Sequence, residues 1–332
     1  MRQNTLYFAN FVLRFGEEKA LLDYAEQILI PAFTDDTLIK SYTSASFYFY
    51  EARLERLNDD KDNPVMALTG RFIKDTELRR EQIFDPKKGL IKDEKSIRSC
   101  PNAYFILVLN DHRLLYLPET RNAPGFGAFK NTALSFIREK HNQFIEQLQS
   151  EAKQSNEKLT KKALRTEHPS PSLEVLPIVA KDAIEDFVDR YAVLKQIDFR
   201  LISPNEEIDT KSLLADVRQH LGQELNASST KVTTRNSKGL DLTSAREKLV
   251  EASDSDNREI ILSGTDKSGN LLKGDNDSFK VETPIETVPS ERKRLNRVLF
   301  DAFRDNVKAK SIKAAEVADK AKSAIKKLSA LL

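Results

Sequence analysis

Acidic residues that could bind a divalent metal gather in one short segment. Asp59, Asp60 and Asp62 lie close together between two strand-like stretches, and metal-dependent nucleases collect such carboxylates around magnesium. The neighbouring residues are asparagine and lysine, which together with aspartate are also typical of a solvated turn. The pattern favours the turn, and a magnesium-dependent nuclease of a defence system stays open as the alternative.

The other residues that usually carry catalysis are scattered. His112, His141, His168 and His220 lie far apart in the sequence, and none has a metal-ligating neighbour at a useful spacing. The single cysteine, Cys100, precedes an apolar run and is expected to be a buried, inert thiol in a reducing compartment. Neither a phosphate-binding Walker loop nor a dinucleotide-binding glycine pattern occurs. The sequence therefore indicates a binding protein without metal or cofactor, rather than an enzyme.

Basic residues concentrate in a few stretches, although the formal net charge of the whole chain is only +2. Lysine and arginine on exposed connectors neutralise phosphates and release counterions, which gives salt-sensitive, sequence-independent DNA affinity. Aromatic residues are not interleaved with these charges, so contact with the duplex backbone is favoured over single-strand stacking. The predicted DNA-binding residues are Lys153, Lys158, Lys161, Lys162, Arg165, Lys231, Arg235, Lys238, Arg292, Lys293, Arg294 and Arg297.

The elements that must position these residues form an α+β pattern, and the 332 residues suit two domains. The first predicted domain covers residues 1–150. Its strand patterns lie at 5–15, 46–57, 65–74, 103–109 and 114–117, and its helical patterns lie at 17–31 and 126–148. The charged stretch 75–99 is expected to be a loop.

A lysine-rich segment closed by prolines, residues 151–171, is the predicted linker. A second α+β domain follows at 172–289 and contains a β-α-β unit. Its strands are expected at 173–179, 196–202, 230–235, 258–263 and 278–284, and its helices at 182–194, 209–225 and 242–252.

Residues 290–332 contain neither proline nor glycine and show one long helical pattern with an alanine-rich heptad seam. The predicted fold is therefore α+β, with two small sheet-plus-helix domains, a basic linker and a long C-terminal helix. No run of 18 uncharged apolar residues occurs, and the first residues lack the character of a signal peptide. These features predict a cytoplasmic location.

Three stretches of sequence carry a resemblance to a known family. The first, residues 101–108 (PNAYFILV), has a return strand at 113–117 and is followed by the helix from 126. The second, residues 173–178 (LEVLPI), leads into the helix near 182. The third, residues 261–272 (ILSGTDKSGNLL), is followed by FKV at 279–281 and a basic C-terminal helix. In the order of these parts the chain resembles RexA-like phage-exclusion proteins of temperate phages and prophages.

This resemblance implies double-stranded DNA binding without strong sequence preference, a homodimer, and a membrane-protein effector that aborts infection. It assigns no individual binding residue, and the long alanine- and lysine-rich tail of this chain departs from the family pattern. The leading hypothesis is therefore a non-enzymatic DNA-binding protein of phage exclusion. The alternatives are the nuclease described above and a protein-interaction subunit that uses its C-terminal helix.

Overall fold

The computed structural model describes residues 4–155, 159–202, 229–253, 258–314 and 318–332. These residues form two antiparallel sheets with helices packed on their faces, so the predicted α+β class is confirmed. The helix predicted at 209–225 lies outside the described residues. No helix in the described part of the chain is long and apolar enough to cross a membrane.

In the described part of the chain, the large sheet has ten strands. They are β1 (Asn4–Phe15), β2 (Lys19–Ala20), β3 (Lys40–Ser41), β4 (Ala45–Arg56), β5 (Met66–Asp85), β6 (Gly89–Ser99), β7 (Asn102–Val108), β8 (Arg113–Pro118), β9 (Pro171–Pro177) and β14 (Glu282–Ile285). The main path runs β14-β1-β8-β7-β5-β4-β3, while β2 and β9 pair with β1 and β6 pairs with β5. The predicted hairpin of β7 and β8 is confirmed.

Seven α-helices are described: α1 (Ile30–Thr34), α2 (Phe126–Gln154), α3 (Lys161–Glu167), α4 (Lys181–Val188), α5 (Leu242–Ser253), α6 (Arg292–Lys308) and α7 (Asp319–Ser329). The helix predicted at 17–31 is instead a 3₁₀ turn (Leu21–Tyr24) and a π-helical turn (Ala25–Leu29) that run into α1. Proline at the start of α1 does not interrupt it, because the first turn needs no donor there.

The large sheet is buried on both faces. Aromatic side chains fill one face, where the Phe33 ring stacks on Phe49 at a centroid distance of 4.4 Å and Phe129 of α2 packs edge-on against Phe105. The other face is covered by Leu299 and its neighbours on α6. Because β7 lies between these two layers, its side chains are apolar without alternation, as in AYFILV.

The single C-terminal helix predicted for 290–332 is wrong, because the segment forms two helices on opposite faces of the large sheet. Leu295 and Leu299 of α6 pack on one face, whereas Ile325 and Leu328 of α7 belong to the aromatic core on the other. The chain turns after α6 at Lys310, whose φ is 60°. A single straight helix cannot bury apolar residues on both faces of the sheet, so the helix ends and the chain turns between the two sets.

The linker predicted at 151–171 is mostly structured. The α2 helix extends to Gln154, and α3 packs back against it through the buried Leu164. The following strand, β9, pairs with β1 from Ala9↔Pro177 to Phe15↔Pro171. The predicted division at residue 172 therefore does not coincide with a division between the two sheets.

The described residues of the small sheet form four strands in the order β11-β10-β12-β13. Its strands are β10 (Tyr191–Ile202), β11 (Ser229–Arg235), β12 (Arg258–Asp266) and β13 (Leu271–Asp275). Ile184 and Val188 of α4 and Leu249 of α5 form one apolar cluster with Leu194 and Leu262 of the sheet. A small sheet with α4 and α5 packed on it is thus present. The strands predicted at 173–179 and 278–284 are instead β9 and β14 of the large sheet, so the predicted β-α-β unit has its two strands in different sheets.

The loop predicted at 75–99 is wrong, because β5 continues to Asp85 and returns as β6. Charged residues at most positions hide the strand periodicity of this stretch. Cys100 is also exposed rather than buried, since it precedes β7 and lies outside its apolar run. We call residues 77–98 the arm.

Candidate nucleic-acid interface

The arm is a two-stranded ribbon that extends beyond the rest of the large sheet. The pairing of β4 with β5 ends at Ala45↔Thr76, and beyond that point the described partner of β5 is β6. Pairing within the ribbon continues to Asp85↔Gly89. At about 3.3 Å per residue, the ten positions from Thr76 to Asp85 span roughly 30 Å.

The root of the arm is fixed to the sheet by side-chain contacts. The Arg98 guanidinium donates two hydrogen bonds to Asp75, at 3.1 and 2.5 Å, and these bonds lower the pKa of the carboxyl group. The Thr76 hydroxyl donates to the carbonyl of Ser44 at 2.8 Å. The direction in which the arm leaves the body is therefore set by the sheet itself.

The tip of the arm is a tight turn that presents two lysines. The Asp85 side chain accepts hydrogen bonds from the backbone amides of Lys87 at 2.8 Å and Lys88 at 3.0 Å. Pro86 fixes the turn, and Gly89 has a φ of 74°, a region that favours glycine. The Asp85 carboxylate thus binds the backbone amides of the two lysines and not their ammonium groups. Both lysine side chains extend from the tip, where they are exposed.

The arm carries seven lysines and arginines and five acidic residues, a net charge of +2. Some of these charges cancel locally, since Arg80 pairs with Asp93 and Lys92 with Glu94. Within the described residues, no ion pair engages Arg79, Lys87, Lys88 or Lys95, and all four are exposed. The positive charge available to a partner thus lies at the tip, on Lys87 and Lys88, and nearer the body, on Arg79 and Lys95.

One face of the arm also exposes large apolar side chains. Leu78 lies opposite Ile97, and Phe84 lies opposite Leu90 at the tip. These side chains are 53%, 65%, 72% and 72% exposed, respectively. Residues of one strand alternate between faces, so Leu78 and Phe84 share a face, with Arg80 between them.

The structure separates the sequence-predicted DNA-binding residues into three places. Lys161 lies on α3 and is paired with Glu146 at 2.9 Å, while Arg165 contacts the Asn142 side chain at 3.3 Å. Lys153 and Lys162 are exposed beside them. Lys158 lies outside the described residues.

The predicted residues of the small sheet lie on and after its edge strand. Lys231 is 55% exposed and pairs with Asp198 at 3.0 Å. Burial alone would raise the pKa of Asp198, but hydrogen bonds from Lys231, Thr233 and Gln196 lower it. Arg235 and Lys238 are exposed.

The predicted residues of α6 divide into one structural residue and three exposed ones. The Arg292 side chain is only 16% exposed, and its guanidinium donates to the Thr69 carbonyl at 3.3 Å and to the Tyr104 hydroxyl at 3.3 Å. Arg292 therefore attaches α6 to the sheet and is not available to phosphate. The exposed residues are Lys293, Arg294 and Arg297.

The aspartates considered for magnesium form a turn. Asp60 accepts hydrogen bonds from the backbone amides of Asp62 at 2.9 Å and Asn63 at 3.0 Å, and those from Asn63 chiefly lower its pKa. Asp59 is exposed beside them. No group of three or more His, Cys, Asp or Glu side chains in the described part of the chain is arranged to hold a metal ion.

The arm is the feature that sequence reasoning missed, and a signal for it was present. The run from Asp85 to Gly89 (DPKKG) has the aspartate, proline and glycine of a tight turn. Apolar residues recur on both sides of it, at Leu78 and Phe84 and at Leu90 and Ile97. A turn flanked by such residues predicts a hairpin.

The chain matches no known protein family, and a comparison with curated proteins finds no similar sequence.

Proposed function

We propose that this protein binds double-stranded DNA without sequence preference and that the arm makes the principal contact. The observation that carries the proposal is a protruding two-stranded ribbon whose tip presents Lys87 and Lys88, both exposed and without an ion-pair partner within the described residues. Two-stranded ribbons bind DNA in either the major or the minor groove, and the lysines of this ribbon would neutralise phosphates on either side.

The contact is electrostatic, so it depends on salt. Each lysine that neutralises a phosphate releases condensed counterions, and the logarithm of the binding constant falls linearly with the logarithm of salt concentration. The exposed Lys293, Arg294 and Arg297 of α6 and the exposed Arg235 and Lys238 of the small sheet supply further positive surface. The arm differs from them in standing free of the body.

The wider context of the proposal comes from the resemblance to RexA-like proteins. We place the protein in the cytoplasm, as a homodimer that binds DNA during phage exclusion and signals to a membrane-protein effector. Light scattering on the purified full chain measures its molar mass and so tests the homodimer. DNA binding is tested by a separate experiment.

A mobility-shift titration on unrelated duplexes at several salt concentrations tests DNA binding. We expect every duplex to shift, and we expect the double variant Lys87→Ala/Lys88→Ala to lower the salt slope by about 2, since each phosphate contact contributes about 0.9. The matched control is Lys326→Ala/Lys327→Ala, an exposed lysine pair in the last turn of α7. Equal slopes for the two variants, or binding that ignores salt, would contradict the proposal.

A further inference from the structure

The tip of the arm combines an exposed apolar pair with the two lysines described above. Phe84 and Leu90 lie opposite each other, one residue before the Asp85↔Gly89 pair that closes the turn. Each has 72% of its surface exposed. Burying the two side chains together against a partner would be worth about 1.5–3 kcal/mol for each of them.

From this juxtaposition we infer that Phe84 and Leu90 form a wedge that enters between two base pairs and bends the duplex. The inference rests on the proposed DNA binding and adds the kind of contact made. Apolar side chains inserted from the minor groove unstack a base step and kink DNA by about 20–90°. The pair sits at the leading end of the ribbon, where Lys87 and Lys88 can hold the phosphates beside the opened step.

Charge on the same face favours DNA over a second copy of the chain. Strand alternation, across a register shift in β6, places Lys95 on the face that carries Leu90 and Ile97, and within the described residues no ion pair engages it. Lys92 lies on the same face but is paired with Glu94. If two arms packed face to face, the unpaired Lys95 of each copy would bring like charge into the shared interface, which is unfavourable. A phosphate backbone supplies the opposite charge to Lys95.

The experiment measures the bend of a short duplex that carries a fluorophore at each end, together with the fluorescence of 2-aminopurine within it. We expect the wild-type protein to raise energy transfer and to raise 2-aminopurine emission through unstacking. The variant Phe84→Thr/Leu90→Thr keeps β-forming residues in the hairpin and should lose both signals. Its salt slope should remain that of the wild type.

The matched control is Leu78→Thr/Ile97→Thr, which removes the other exposed apolar pair from the same face of the arm. This variant should bend DNA as the wild type does. Binding without any bend, or an equal bend by the Phe84→Thr/Leu90→Thr variant, would overturn the wedge and leave the proposed DNA binding intact. If the Phe84→Thr/Leu90→Thr variant bends DNA normally but no longer forms the dimer that light scattering detects for the wild type, Phe84 and Leu90 instead contact a second copy of the chain. Failure of the wild type to bind any duplex would overturn the proposed function itself.

Discussion

The hydroxyl of Tyr104 donates a hydrogen bond of 2.7 Å to the side-chain oxygen of Asn296, and the bond joins the middle of the large sheet to α6. The Asn296 amide donates in turn to the Glu55 carboxylate at 2.6 Å, which also accepts from the Thr69 hydroxyl at 2.6 Å. Buried polar groups must be paired in this way, because an unmade hydrogen bond costs more than a made one gains. The network therefore fixes where α6 lies on the sheet.

Replacing Asn296 should destabilise the protein markedly. The Asn296→Ala variant removes the acceptor of the buried Tyr104 hydroxyl, which keeps only the bond that it accepts from Arg292, and removes one donor to Glu55. We therefore expect a loss of about 1–3 kcal/mol in the free energy of unfolding. Urea denaturation measures it. The control is Arg297→Ala on the exposed side of the same helix, which should change stability by less than about 0.5 kcal/mol. Equal effects of the two variants would show that the network contributes nothing to stability.

Local sequence patterns predicted the elements whose burial follows from their own residues. The strand ending at Val108 is apolar at every position after Asn102, and the helix from Phe126 repeats apolar residues at helical spacing. Both patterns arise from packing against the core, so they can be recognised without knowing the partner. These elements are where sequence and structure agree best.

Long-range relationships could not be predicted from local patterns. Asn296 and Arg292 lie in a basic, solvent-like stretch, and their partners Tyr104 and Thr69 are about 190 and 220 residues away in the chain. Arg292 was therefore predicted to contact DNA although it binds the sheet. The arm was missed for a related reason: both its faces meet solvent, so no continuous apolar stripe marks it.

The apolar residues of α7 should be needed for the stability of the chain itself. Ile325 is 2% exposed and lies in the aromatic core. An Ile325→Ala substitution should therefore reduce the free energy of unfolding by about 2–5 kcal/mol. Thermal unfolding monitored by circular dichroism gives the change, and Lys326→Ala is the exposed control. If α7 were instead detached from the core and reserved for a partner, Ile325→Ala would leave the isolated chain as stable as the wild type.

Two glycines should respond oppositely to a single methyl group. A Cβ atom at Gly264 in β12 would lie 2.1 Å from the backbone oxygen of Val193, beside the irregular pairing of β10 and β12. Gly264→Ala must displace the backbone of β10, so we expect it to disrupt the small sheet. Gly127, in the first turn of α2, has no atom within 4 Å of that position and no positive φ. Gly127→Ala should therefore stabilise the protein by about 0.4–1 kcal/mol, because alanine restricts the unfolded chain. Thermal unfolding of both variants tests this contrast.

Magnesium should leave bound DNA intact. Asp60 uses its carboxylate to hold the turn through the amides of Asp62 and Asn63, so it is already engaged by donors that a cation would have to displace. We expect duplex DNA incubated with the protein and magnesium to keep its length on a denaturing gel. Cleavage that disappears in the Asp59→Ala/Asp62→Ala variant would establish the nuclease alternative instead.

Two histidines should make the protein less stable as the pH falls below about 6.5. His141 is 2% exposed and its Nε2 lies 2.9 Å from the carbonyl oxygen of His168, while Nδ1 of His168 lies 2.8 Å from the Tyr24 hydroxyl. Burial lowers the pKa of both imidazoles, and for His168 the nearby Lys19 lowers it further. The nearby Glu167 carboxylate raises the pKa of His168, while Arg165 lowers the pKa of His141.

The sign of the pH effect follows from proton counting. The unfolded chain takes up protons on these histidines near pH 6.5, whereas the folded protein resists protonation until its lower pKa values are reached. Stability is therefore fully present above pH 6.5 and is lost as the pH falls toward the folded pKa values, by at most about 1.4 kcal/mol per pH unit for each histidine. Urea denaturation between pH 7.5 and 5 measures the slope, and His141→Gln should reduce it. A slope that His141→Gln leaves unchanged would mean that other groups cause the acid sensitivity.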